Sequence, residues 1–182
     1  MKLILSEGYE PRNATLSLQN GQPMYYTDTP LQMINRTTTI YRAEPNQVQP
    51  MTQDGSPQFQ FAPMAQIEWH KFDSTILRFD GSEFDSDSLF RTTGFGWYGS
   101  SRIFVAPDGK EYKWKLGTWD LSLYTNDGSR QLVADYHRSW LGMFGDSWLE
   151  IFPSGAHMTD IVVITFIYAE KIWRDKKRAR RR

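Results

Sequence analysis

Cysteine is absent from the 182 residues, which removes disulfides, thiolate nucleophiles and cysteine-based zinc sites in one step and makes a reducing, cytoplasmic setting the expectation. No apolar run approaches the roughly 20 residues that a membrane-spanning helix needs. Only three apolar residues, Leu3 to Leu5, precede Glu7, too few for a secretory h-region. The sequons Asn13-Ala14-Thr15 and Asn35-Arg36-Thr37 therefore carry little weight. Histidine is scarce: His70, His137 and His157 lie far apart, and none has metal-ligand spacing. No nucleophile-elbow sequence places Ser, His and Asp for a hydrolase triad. Neither a metal nor another cofactor is implied.

Large rings are abundant. Seven Trp, nine Tyr and eleven Phe within a 40% hydrophobic composition can furnish a core for one domain spanning 1–182. The formal net charge is zero, but the charges are segregated. Residues 171–182 hold Lys171, Arg174, Lys176, Lys177, Arg178, Arg180, Arg181 and Arg182 against Asp175 alone. That leaves 13 basic and 20 acidic residues elsewhere, an acidic body of about −7 carrying a basic tail.

Turn dipeptides recur: Asn20-Gly21, Asp54-Gly55, Asp80-Gly81, Asp108-Gly109 and Asp127-Gly128. Between them the pattern predicts strands over 15–19, 24–27, 37–42, 65–71, 74–79, 102–106, 111–116, 121–125, 131–137 and 148–152. In Glu111-Tyr112-Lys113-Trp114-Lys115 the rings alternate with charges, as in a half-buried antiparallel strand. Many short strands with close turns indicate a mainly β sandwich or barrel rather than βαβ units. The Pro- and Gln-rich stretch 44–64 reads as a long surface loop.

The most apolar stretch is Ile161 to Ala169. Apolar character on every side demands burial on every side. Its five consecutive β-branched residues, Ile161 to Thr165, favour a strand, whereas 169–178 is rich in helix formers. With no Gly or Pro from His157 to Asp175, the length points to a helix over 157–175, with Thr159 or Asp160 near its N-cap and Glu170/Arg174 as an i,i+4 pair. A buried strand 161–168 followed by a short basic helix is the alternative.

The segments Asp108-Gly109-x-Glu111-Tyr112-x-Trp114, Leu149-Glu150-Ile151-x-Pro153 and Asp160-Ile161-Val162-Val163-x-Thr165-Phe166-x-Tyr168-x-Glu170-Lys171 resemble a fungal family of uncharacterised domains. That family is itself similar to the tubby C-terminal, LURP-one and phospholipid-scramblase group. The resemblance is most specific from about Arg102 onward. It implies a closed antiparallel β-barrel of about twelve strands around a hydrophobic C-terminal α-helix, an arrangement that leaves no lipocalin-like cavity inside.

Several motifs have plain readings. Gly94-Phe95-Gly96-Trp97-Tyr98-Gly99 satisfies G-x-G-x-x-G, yet a strand rather than a helix follows, so a glycine-eased bend is the better account. Asp73, Asp80, Glu83, Asp85 and Asp87 cluster without the glutamate that completes an EF-hand loop, and read as a solvated acidic turn.

The tail carries the leading functional expectation. A non-catalytic domain would meet anionic phospholipid or phosphoinositide at a membrane surface through Lys171, Arg174, Lys176, Lys177, Arg178, Arg180, Arg181 and Arg182, as the tubby-like resemblance also implies. A solvated helix end is the plainer alternative. The competing expectation is a small-molecule-binding protein or an enzyme of specialised metabolism, with a mouth pocket lined by Trp97, Tyr98, Trp119, Tyr136 and Trp140. Nucleic acid is disfavoured as a partner, because an acidic body repels phosphate everywhere but at the tail.

Overall fold

A computed structural model describes the chain except residues 7–9, 32–34, 45–58, 71–72, 95–100, 140–144 and 181–182. The first half contributes β1 (Lys2–Leu5), β2 (Ala14–Ser17), β3 (Pro23–Asp28), β4 (Arg36–Ala43), β5 (Phe61–Trp69), β6 (Ile76–Phe79) and β7 (Ser82–Asp85). After the short helix α1 (Ser86–Leu89) come β8 (Arg91–Thr93), β9 (Ser101–Val105), β10 (Glu111–Leu116), β11 (Leu121–Thr125), β12 (Leu132–His137) and β13 (Ser147–Ile151). A 3₁₀ turn, Pro153–Met158, leads into α2 (Thr159–Ala179).

All thirteen strands form one antiparallel sheet in the order β7-β6-β5-β4-β3-β2-β1-β13-β12-β11-β10-β9-β8. Each half is a meander, and β1 joins the halves by pairing with β13, Leu3 opposite Leu149. The expected closed barrel is not established: the ladder ends at β7 and β8, which are not hydrogen-bonded to each other among the described residues. The chain explains the break, since only α1 and its flanks connect these edges and a helical turn offers no ladder partners. Asp85 caps α1 by accepting from the Asp87 amide (2.8 Å), and Phe90 then turns inward, stacked on Tyr168 of α2 at 4.5 Å between centroids.

The long C-terminal segment is a helix, and the strand alternative is thereby corrected. Residues 161–170 are buried without interruption. Rings reach them from several strands: Trp69 of β5 stacks on Tyr168, while Trp114 of β10 and Tyr136 of β12 pack on Phe166. The threonine hydroxyl in this apolar rod is satisfied twice, because Thr165 Oγ1 donates to the Ile161 carbonyl (2.7 Å) and accepts from Trp114 Nε1 (3.0 Å). The helix is tied at both ends. Near its start Asp160 accepts from Tyr25 Oη (2.7 Å) and Arg42 Nη1 (2.6 Å), a carboxylate well placed against the N-terminal dipole. Near its end Trp173 Nε1 donates to the Gly117 carbonyl (2.7 Å) and Lys176 Nζ to that of Leu116 (2.8 Å).

Other corrections are local. Residues 61–64 belong to β5 rather than to a 44–64 loop; Pro63 stands opposite Tyr41 where the β4–β5 register shifts, the irregular position at which a strand tolerates proline. Residues 45–58 of that expected loop lie outside the described residues. The N-cap is Met158, adjacent to Thr159 as expected, and it makes no side-chain hydrogen bond.

Gly155 is where a side chain has no room: a Cβ there would lie 2.8 Å from Val133 Cγ1 and 3.1 Å from the Val133 carbonyl oxygen. Gly155→Ala is therefore expected to destabilise the fold by about 1–3 kcal/mol through overpacking, read as a lower urea midpoint at unchanged slope.

Candidate functional site

The eight basic residues of 171–182 do not form one solvated run, because a helix turns successive side chains by about 100°. Arg174 and Lys176 face inward, each only 9% exposed. Arg174 holds Glu170 through Nε (3.0 Å) and Nη2 (2.6 Å) and donates from Nη1 to Glu10 (2.8 Å). Glu170 is fully buried. Burial pushes its carboxyl above the usual carboxylate range, against the pull of Arg174. Lys176 is drawn down by burial, then by Arg180 and Arg102 nearby. Lys171 pairs with Asp175 at 2.6 Å.

The outward group is smaller. Lys177 Nζ lies 3.7 Å from the centroid of the Trp173 ring and 5.6 Å from that of Trp119, within cation–π range. Arg178 and Arg180 are exposed, and Arg181 and Arg182 lie outside the described residues. Trp119, 71% exposed in the β10–β11 turn, is the most exposed ring among the described large hydrophobics. A rim results in which two anchors, Trp173 and Lys176, fix the helix against the β10–β11 turn while Lys177 lies across the Trp173 and Trp119 rings and Arg178 and Arg180 are exposed.

Beside this rim, on the outer face of β10 and β11, lies a half-open groove of about 600 Å³. Lys113 and Lys115 line it, with Ser101, Tyr124, Thr125, Asn126, Asp127 and Arg130. The turn that carries Arg130 is tightly bonded: Asp127 Oδ1 accepts from the Ser129 and Arg130 amides and from the Thr125 and Ser129 hydroxyls, at 2.6–3.2 Å. These donors hold the Asp127 carboxyl down at about 2. Its stabilising contribution is thus complete above the ordinary aspartate value and lost as pH falls towards 2. The sequence displayed Lys113 and Lys115 on one strand face, but Arg130 joins them only through the β10–β11–β12 pairing.

The proposed mouth pocket is not assembled by its described members. Tyr136 is buried against Phe166 and Trp173, while Trp119 lies outside, across Lys177. Trp97, Tyr98 and Trp140 lie outside the described residues, as does 95–99 of the glycine-rich motif. The histidines take local partners: His70 with Glu68 (2.9 Å), His137 between Asp135 and Glu150 (3.4 Å each), His157 with Asp108 (3.2 Å). In the acidic stretch Glu83 pairs with Arg78 and Asp85 caps α1. Among the described residues no group of three His, Asp or Glu is arranged to hold a metal, and no helix is long and apolar enough to cross a membrane.

No curated protein matches the chain. The X-ray structure of a protein from Arabidopsis thaliana is similar over 90% of this chain and 87% of its own, at 15% identity and a TM-score of 0.41. A family model matches residues 9–175, from the segment carrying Glu10 to the last residue before Lys176, and by that match the chain belongs to the family of unknown function DUF6593.

Proposed function

We propose that the chain is a non-catalytic binding domain, a tubby-like barrel in overall plan, that docks peripherally on anionic phospholipid through the end of α2. One observation carries the reading: Lys177 lies beside the exposed Trp119, and Arg178 and Arg180 are exposed close by in the chain, at a helix end that Trp173 and Lys176 hold in place. Cations near an anionic surface gain roughly 1 kcal/mol each, and an indole beside them suits the headgroup layer, where amphipathic rings settle. The acidic body, about −7 outside residues 171–182, favours this orientation by repelling anionic lipid overall.

The test is sedimentation with vesicles of phosphatidylcholine containing phosphatidylserine. Reversing Lys177, Arg178 and Arg180 to glutamate together is expected to weaken binding by about 100-fold or more, since at least 3 kcal/mol is removed. Salt should weaken the unmodified chain steeply. A chain ending at Lys176 keeps the anchors and isolates the projecting cations, whereas one ending at Glu170 would also remove Trp173 and Arg174 and test folding instead. Equal sedimentation of the parent and the charge-reversed chain, or none by either, would overturn the reading.

A further inference from the structure

We infer that the groove on the outer face of β10 and β11 is a binding site for a soluble phosphomonoester, separate from the lipid-facing rim. Lys113 and Lys115 are two positions apart on one strand, so their stems emerge about 7 Å from each other on the same face. A strand face that is merely solvated usually sets opposite charges close to one another, and neighbouring Glu111 has such a partner in Arg91, two strands away, besides Asn126. The lysines have no such partners directly opposite. Lys113 faces Tyr124 and Ile103, and Lys115 faces Ser122 and Ser101. Among the described residues only the Asp120 carboxylate reaches Lys115, at 3.9 Å. Among the described residues neither Lys113 nor Arg130 has a carboxylate partner.

Arg130 is delivered to the same space by the tight 125–131 turn, where it adopts a left-handed backbone at φ 50°. The four donors on Asp127 Oδ1, together with the Gln131 amide on Thr125 Oγ1 (2.9 Å), hold that turn before any ligand arrives, which reduces the ordering cost of binding. Asp127, the one acid in the lining, spends that oxygen on the turn. What remains is a cavity of drug-ligand size with three cations, the Ser101 hydroxyl, and the Tyr124 ring as a wall. A dianionic phosphate suits the cations, and a flat organic group suits the ring. On a body of about −7, such a basic hollow is a local exception to the field that otherwise repels anions.

Phenyl phosphate is the probe, with phenol as the uncharged control, followed by calorimetry and by amide shifts of the full chain. Phenyl phosphate should bind and shift residues 113–117 and 124–130, and phenol should not. Lys113→Gln and Arg130→Gln should each weaken binding about tenfold with unchanged thermal melting, while leaving phosphatidylserine vesicle binding intact. Equal affinity in parent and variants, or no saturable binding, would overturn the site. Loss of vesicle binding in Lys113→Gln would overturn the soluble source and assign the phosphate to a lipid headgroup. The triple glutamate variant of the rim should still bind phenyl phosphate, so failure of the lipid reading and failure of this one are separable.

Discussion

Replacing Arg174 with methionine is expected to cost about 3–5 kcal/mol of stability, because it strands the fully buried Glu170 carboxylate in the sheathed end of α2. Arg174 supplies two hydrogen bonds to Glu170 and one to Glu10, 164 positions earlier in the chain. Its loss therefore loosens the helix from the 10–12 segment as well. Glu170 Oε2 accepts no hydrogen bond from the described residues, so no second donor is in place to take over. The variant should also become more pH-dependent than the parent, in a defined direction. Glu170 is already raised by burial, and without Arg174 it rises further. Between its unfolded value near 4.3 and that raised value the native state holds a proton that the unfolded chain has released. Stability then falls as pH increases, by up to about 1.4 kcal/mol per unit. Denaturant titrations between pH 4 and 8 measure both effects. Converting the pair together, Glu170→Leu with Arg174→Met, should recover most of the loss, since an apolar pair of similar volume carries no desolvation penalty. A single variant as stable as the parent would mean that Glu170 is hydrated.

The Glu170–Arg174 contact itself was legible as an i,i+4 spacing, and the helix was legible in the absence of Gly and Pro over 157–175. Their burial was not. Nothing local announces that Glu170 lies within the sheath or that Glu10 completes its network, because that contact spans nearly the whole chain. For the same reason the basic run read as a uniform tail: composition counts charges, whereas the helix directs Arg174 and Lys176 inward, lays Lys177 over Trp173 and leaves Arg178 and Arg180 exposed. Ten strands announced themselves by alternation, most clearly 111–116 and 121–125, whose ends coincide with the structure. Those missed were β1, β7 and β8, three or four residues long, which leaves period two few positions in which to show. In β1 the buried Leu3 and Leu5 were the available signal. Acidic character disguised β7, whose Glu83 and Asp85 suit a turn as readily as an exposed edge strand. The groove shows the same division, since spacing displays Lys113 and Lys115 but only pairing and a left-handed residue bring Arg130 to them.

Phe166→Ala is expected to destabilise by about 3–5 kcal/mol, with the helix still the native conformation below the melting temperature. Phe166 is fully buried, its ring 4.8 Å from that of Tyr136 and 6.1 Å from that of Trp114. The cost has two parts, the lost transfer free energy of the ring and the void left between two rings that cannot both close on it. Trp114 is least free to move, since its indole N–H is committed to Thr165 one residue away. Phe166→Leu keeps most of the volume and should cost about 1.5 kcal/mol or less. Urea unfolding at unchanged slope measures the difference, and a loss below 1 kcal/mol for Phe166→Ala would show that the helix is not sheathed. Because α2 is so rich in β-branched residues, its helicity depends on the strands around it rather than on propensity. Deepening the void should therefore lower stability without moving the rim. Trp173 and Lys176 still bind the Gly117 and Leu116 carbonyls, and the vesicle binding proposed for Lys177, Arg178 and Arg180 should persist at temperatures where Phe166→Ala remains folded.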